Sequence, residues 1–419
     1  MQDHQIRIAT VLASLLAVLL LVKWGWKAPK DDLDAEATAP VWAVKADDIV
    51  KVDAERSDGE LLLEKKDGHW RIDEPVQDIA SDKQVGYLLD ELERVKKGIP
   101  VPDADPKDFG LGDPPEVAIT VTLADGTQKT LDVGSKAPVG WRTYVRDAAG
   151  GVAAVSGLVG QRLQGSVDDL RDQIVVQFDP GDVRGVVLTG QGHTLDVHGQ
   201  GKHWWLEGFT RADPDKVDDL VTGLRSVRFD TFYEGKDPAP DGIDDPAYKV
   251  TITTTEGKVG FDVGENAPTG ALVRTFGGRT GWVDPKSLAL LGQGPTDVGD
   301  PHAFPVDEAE SDHVEVKLGD VAWSADRDGD HWKADGKSQD AVDKAVAALA
   351  AVPTHYRGQP VPALTEDFGK VTVKQGDAAP DVVDMGQVVD GTWRAAQDEA
   401  GGEPYLVPVD KLKDSALAP

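Results

Sequence analysis

Three times in its 419 residues this chain places the dipeptide His-Trp a short distance before an amphipathic helical pattern, at His69-Trp70, His203-Trp204 and His331-Trp332. Asp48 and Asp182 precede the first two Trp residues by 22 positions, and Asp312 precedes the third by 20. Within each interval apolar and polar residues alternate around a Gly- or Asp-bearing turn, as in Leu61-Leu62-Leu63 before Asp67-Gly68. That pattern predicts an antiparallel hairpin or meander. Recurrence at a regular spacing points to repeated supersecondary units.

The helical patterns share one register. The first presents Val85, Leu88, Leu89, Leu92 and Val95, the second Val217, Leu220, Val221, Leu224 and Val227, and the third Val342, Ala345, Val346, Leu349 and Val352. Each set falls at i, i+3, i+4, i+7 and i+10, a single apolar stripe with the helical period. Ser81 with Gln84 three residues later reads as a capping box, Asp213-Pro214 as an N-cap followed by Pro at N1, and Ser338 as a third cap. Burying five such side chains stabilises a module by roughly 8 to 12 kcal/mol as an upper estimate. Ala345 makes the third stripe the weakest. One stripe can bury against one sheet.

A second β segment follows each of the first two helices. Val117 to Leu123 turns at Asp125-Gly126 into Thr130 to Val133, and Lys249 to Thr255 turns at Glu256-Gly257 into Val259 to Val263. A closing turn then repeats, Val133-Gly134-Ser135-Lys136-Ala137-Pro138-Val139-Gly140 against Val263-Gly264-Glu265-Asn266-Ala267-Pro268-Thr269-Gly270. In the third copy only Met385-Gly386 and Trp393 resemble it, so that copy has diverged. The expectation is an α+β chain of three tandem modules, each a mainly antiparallel sheet with one main amphipathic helix packed on it. They span 41–166, 171–293 and 311–415, with a Gly/Pro-rich linker at 294–310.

Ahead of them Ile8 to Val22 is uninterrupted apolar sequence apart from Thr10 and Ser14. At about 1.5 Å per residue this run falls short of a hydrocarbon core of about 30 Å, and extension through Trp24-Gly25-Trp26 makes up most of the difference. Residues 8–26 are therefore expected to form a transmembrane helix, followed by a tether at 27–40. A cleaved signal is disfavoured because no small-x-small site follows the run closely. Arg7 stands against Lys23, Lys27 and Lys30, so charge does not fix the orientation.

With 44 Lys+Arg against 74 Asp+Glu, the formal charge is −30. Such a body repels phosphates, so nucleic acid is not an expected partner. The absence of cysteine removes disulfides, thiolate metal sites and thiol catalysis.

The order Asp47-Asp48-Ile49-Val50, Gly68-His69-Trp70-Arg71-Ile72, an amphipathic helix, Phe109-Gly110-Leu111 with Asp113-Pro114-Pro115, and Val133-Gly134 resembles the bacterial domain of unknown function 4340 family. The similarity covers most of 41–293, and its motifs are structural rather than catalytic. The resemblance implies an envelope protein with a single-pass anchor in the cytoplasmic membrane and its body outside the cytoplasm. It also implies protein partners of the ABC-transporter-associated or gliding-motility type.

No residue set demands catalysis. His193, His198 and His203 are spaced by five on a predicted hairpin, with no carboxylate pair at ligand spacing. Asp326-Arg327-Asp328-Gly329-Asp330 has its Gly fourth and a Lys twelfth, which suits a turn and not a calcium loop. The recurrent Trp reads as a core residue beneath each helix, whereas Trp205, Trp141 and Trp282 are candidates for an exposed partner surface. No nucleophile elbow, phosphate loop or zinc-protease motif occurs. The chain is thus expected to be a non-enzymatic accessory or scaffold protein with no catalytic, cofactor-binding or metal residues and no cofactor. The alternatives are a carbohydrate- or peptide-binding module using exposed Trp, and a hydrolase whose carboxylate pair forms only in the fold.

Overall fold

A computed structural model describes residues 39–200, 203–206, 211–233, 243–267, 270–354, 361–400 and 404–413. The expected membrane helix at 8–26 and all but the last two residues of the tether at 27–40 lie outside them. Those last two, Ala39–Pro40, are not free tether but a short strand paired with Lys97 and Gly98. Among the described residues no helix is long and apolar enough to cross a membrane.

The chain divides into two compact units, Met1–Asp172 and Gln173–Pro419. The first contains one sheet of 10 strands, and the second contains two, of 8 and 7 strands. All pairings are antiparallel and helices are few, so the class is α+β. Seven strands are common to all three sheets. In the first they are Ile49–Arg56, Gly59–Lys66, His69–Glu74, Val117–Leu123, Gln128–Lys136, Arg142–Asp147 and Val152–Ser156. In the second they are Val183–Gly190, His193–Gln200, His203–Leu206, Tyr248–Thr254, Lys258–Ala267, Gly270–Thr275 and Thr280–Val283. In the third they are His313–Leu318, Val321–Asp328, His331–Lys333, Gly369–Lys374, Asp381–Val389, Trp393–Asp398 and Tyr405–Pro408. Numbered by sequence within each sheet, their spatial order is 3-2-1-4-5-6-7 in all three. The main helix always leaves after strand three and returns the chain to strand four, beside strand one.

Those helices are Asp82–Arg94, Pro214–Ser226 and Gln339–Ala350. All fifteen stripe residues are buried, none more than 5% exposed. Ser81 caps the first helix by accepting from the Gln84 N–H at 3.4 Å. Asp213 caps the second by accepting from Asp215 and Lys216. Ser338 occupies the third N-cap, but its side chain makes no capping hydrogen bond. The apolar cores contain Trp70 in the first sheet, Leu206 and Phe261 in the second, and Trp332 and Tyr405 in the third.

Two sequence expectations change. The repeated Val-Gly octet is not simply a turn. Its first residues end the fifth strand, where the pairing with strand six skips between Val133 and Lys136, between Val263 and Asn266, and between Met385 and Val388. An extra residue there bends the strand. A side chain at Gly134 would put its Cβ 2.2 Å from the Phe109 carbonyl, so the bulge needs glycine to admit the Phe-Gly-Leu loop. The diverged third copy keeps the same bulge.

The stretch 294–310 is likewise not a free linker. Pro295–Val298 is a helical turn, Val298 is fully buried in the second core, and Ala303 and Phe304 are buried in the third. Its backbone is bonded to both sides: Asp213 N–H donates to Val298, Asp300 N–H to Arg211, and Ala303 N–H to Val352. A Gly/Pro-rich segment lacks apolar periodicity, yet extended chain can satisfy its amides against loop edges. In the first unit the segment after the first sheet acts in the same way. Ser81 N–H donates to Leu170 and Asp172 N–H to Ile79.

Candidate functional sites

In the first and third sheets the His-Trp pair is clamped by one carboxylate from the following helix. Asp82 Oδ2 lies 2.8 Å from His69 Nδ1, and Asp82 Oδ1 accepts from the Trp70 N–H at 2.8 Å. Asp343 makes the same pair of contacts with His331 and Trp332 at 3.0 and 2.7 Å. Both imidazoles are largely exposed, and both indoles are buried at 4% exposure. The dipeptide therefore ties a strand end to a helix start, with the Trp filling the core beneath. Its role there is structural.

The second sheet departs from this. His203 Nε2 lies 2.5 Å from Oδ1 of Asp381, the first residue of strand five in the third sheet. His203 is thus not a solvated hairpin residue, and across its hairpin it faces Gln200 while His198 faces Trp205. Trp205, expected at an exposed surface, is buried at 2%, while Trp204 is only partly buried against the second core. Trp282 is half-buried, and of these candidates only Trp141 stands well exposed, at 63%.

Around His203 the second unit gathers its most buried charges. Arg211, only 4% exposed as a side chain, directs Nη2 to the carbonyls of His302 and Ala303 at 3.2 and 3.4 Å and to Asp300 Oδ2 at 3.5 Å. Its Nη1 is 3.7 Å from Asp398 Oδ1, and the Asp398 side chain is 5% exposed. Burial pushes the Asp398 carboxyl up to about 6, against the opposing pull of Arg211 and His203, while Asp381 and Asp300 add to the rise. Sequence reasoning missed this cluster because its members come from four separated segments. The first unit has a charge-reversed counterpart. There the acid, Asp78, precedes the main helix and the base, Arg171, follows the sheet, with Arg171 Nε 2.6 Å from Asp78 Oδ2.

This cluster is chemically a closed junction. Asp300 and Asp398 lie against the Arg211 guanidinium, and Asp381 lies against the His203 imidazole. Groups of three or more His, Asp or Glu positioned to hold a metal are absent among the described residues. Asp326–Asp328 ends strand two of the third sheet, and Gly329-Asp330 forms the turn into strand three.

Asp398 carries a testable pH dependence. Its folded value lies above the ordinary carboxylate value of 3.8. The native state therefore holds a proton that the unfolded chain releases between about pH 4 and 6, and this contribution to stability is lost as pH rises through that window. Asp398→Asn is expected to be more stable than wild type above pH 7 by on the order of 2 to 3 kcal/mol. The gap should close towards pH 4. Urea unfolding at several pH values reads the difference, and a gap that does not vary with pH rules out a proton on Asp398.

Among the clefts lined by described residues are three that lie away from this cluster. One of about 490 Å³ is lined by Lys317, Lys370, Glu366 and Asp384 on the third sheet, and one of about 230 Å³ by Asp179, Asp182, Glu256 and Lys258 on the second. Acids outnumber lysines in both, Asp367 being a third acid in the first. The third, of about 330 Å³, lies beside Trp141 in the first unit.

A family model described as a domain of unknown function (DUF4340) matches residues 70–246, from the first His-Trp pair to the start of the second sheet's fourth strand. No curated protein and no solved structure is significantly similar to the chain.

Proposed function

We propose that this chain, which carries a DUF4340 domain over residues 70–246, is a membrane-anchored, non-enzymatic accessory protein whose three sheets are tandem copies of one module. The 8–26 segment serves as a single-pass anchor in the cytoplasmic membrane, and the body lies outside the cytoplasm. There it acts as a scaffold for a transporter-associated or gliding-motility-type envelope complex. The observation that carries the reading is how the buried polar side chains are used. Asp78, Arg171, Arg211, Asp381 and Asp398 are buried and pair with one another, with half-buried Asp300 or with His203, and each of these pairings joins separated segments of the fold, whereas buried Glu91 pairs with Arg94 within one helix. Repetition without a catalytic constellation suits a spacer that presents surface.

Crosslinking in intact cells, mild detergent extraction and mass spectrometry test this directly. The expected outcome is recovery with a membrane permease or another envelope subunit, with crosslinks confined to extracytoplasmic segments of the partner. A body accessible only to cytoplasmic reagents, or a protein that always emerges alone, removes the proposal.

A further inference from the structure

The cleft beside Trp141 has features that folding alone does not require. Trp141 is 63% exposed and adopts a φ of 50°, in the left-handed region that few non-glycine residues occupy. Its backbone is nevertheless fixed, because its carbonyl accepts from the Gly157 N–H at 2.8 Å, and the Ala137 N–H donates to Arg142 across the same turn. The indole is therefore held out from the sheet by a locked main chain. One small residue, Gly157, starts the helix Gly157–Leu163, and a second, Gly160, follows one turn later. A Cβ at Gly157 would lie 2.8 Å from the Trp141 carbonyl, and one at Gly160 would lie 2.7 Å from Thr143 Oγ1. Both glycines let the helix pack closely against Trp141 and Thr143, and both line the cleft.

The lining is aromatic and amide-rich, with one charge. Trp141 forms one wall and Lys136 Nζ lies 4.7 Å from its ring centroid. Thr143, Gln161 and Gln164 supply the hydroxyl and amides. Gln164 is oriented by donating to Glu116 at 3.0 Å, and Gln161 is exposed on the helix Gly157–Leu163 with its side chain lining the cleft. No carboxylate lines the cleft, although the chain as a whole carries −30.

We propose that this cleft binds a neutral sugar, a pyranose unit of a glycan, with its C–H face on the Trp141 indole and its hydroxyls on Gln161, Gln164 and Thr143. An apolar ring face with a few convergent polar groups is the chemistry of a small-molecule site, and about 330 Å³ is within the usual range for one. A peptide fits less well. Strand Arg142–Asp147 is paired on both sides, so no backbone edge is offered for strand addition. A polyanion meets one lysine on a strongly acidic protein. The site stands independently of the scaffold reading, and each could fail without the other.

The test uses the full chain in a detergent without a sugar headgroup, titrated calorimetrically with chitotriose and with cellotriose. Saturable binding of at least one is expected. Trp141→Ala should weaken it by about tenfold or more, Trp141→Phe by only a few-fold, and Gln161→Ala by several-fold. Phe276→Ala, at an exposed phenylalanine of the second unit, should leave it unchanged. Because Trp141 and Gln161 are exposed, the variants are expected to keep wild-type far-ultraviolet dichroism and melting temperature. No heat from either sugar at millimolar concentration overturns the proposal. Equal binding by wild type and Trp141→Ala overturns it as well.

Discussion

Arg211→Met is expected to cost the second unit about 3 to 5 kcal/mol at pH 7.5, among the largest single-residue losses available to it. The methionine replaces most of the aliphatic stem, so packing changes little. What disappears is the cation that faces two carbonyls and the carboxylates of Asp300 and Asp398. Asp398 then remains buried with its principal counter-charge removed, and its carboxyl, already pushed up to about 6, must rise further. Protonation relieves a buried carboxylate, so the loss should shrink as pH falls below that raised value. Adding Asp398→Asn to Arg211→Met should recover a large part of the deficit at pH 7.5, because the two sites are coupled. Hydrogen exchange across 173–413 of the full chain measures the effect without assuming one unfolding transition. A deficit below about 1 kcal/mol, or one unaltered by Asp398→Asn, would show that the cluster is solvated in solution and does not hold the unit together.

The same cluster shows where sequence reading ends. Stripe positions such as Leu88, Leu220 and Val346 were legible because a helix converts a local period into one buried face. The strand pairs around Asp67-Gly68 were legible for a similar reason, since a short turn fixes both partners. Arg211, Asp300, Asp381 and Asp398 carry no such signal. Each is an ordinary charged residue in a chain rich in them, and their meeting depends on how two sheets and a connector are placed within one unit. The ordering of the connector is not legible either, because Gly292 to Pro305 has the composition of free chain. Its ordering comes from backbone amides and from three buried residues, Val298, Ala303 and Phe304, too few for a period. The Trp141 cleft was half legible. Trp141 is a candidate for exposure from sequence, but the close approach of the helix that Gly157 and Gly160 permit is revealed only by the fold.

Trp70→Ala is expected to destabilise the first unit by about 3 to 5 kcal/mol, and Trp332→Ala to have a comparable effect on the third sheet, whereas Trp204→Ala should cost at most about 2 kcal/mol. From sequence the three tryptophans are equivalent. In the fold Trp70 and Trp332 are buried at 4%, each with its main-chain N–H held by a helix carboxylate. Trp204 is only partly buried, and its neighbour Trp205, which points to the other face of the strand, is the buried one. Two adjacent aromatic residues on a strand cannot share a face, so the chain had to choose which one to bury most deeply. In the second sheet His203 turns to Asp381, Trp204 packs partly against the apolar core, and Trp205 is buried on the opposite face beside His203. The cost should therefore move with it: Trp205→Ala is expected to exceed Trp204→Ala by at least about 1 kcal/mol. Hydrogen exchange on the four variants gives the ranking, and a Trp204→Ala loss equal to that of Trp70→Ala would mean that the second sheet uses its His-Trp pair as the other two do.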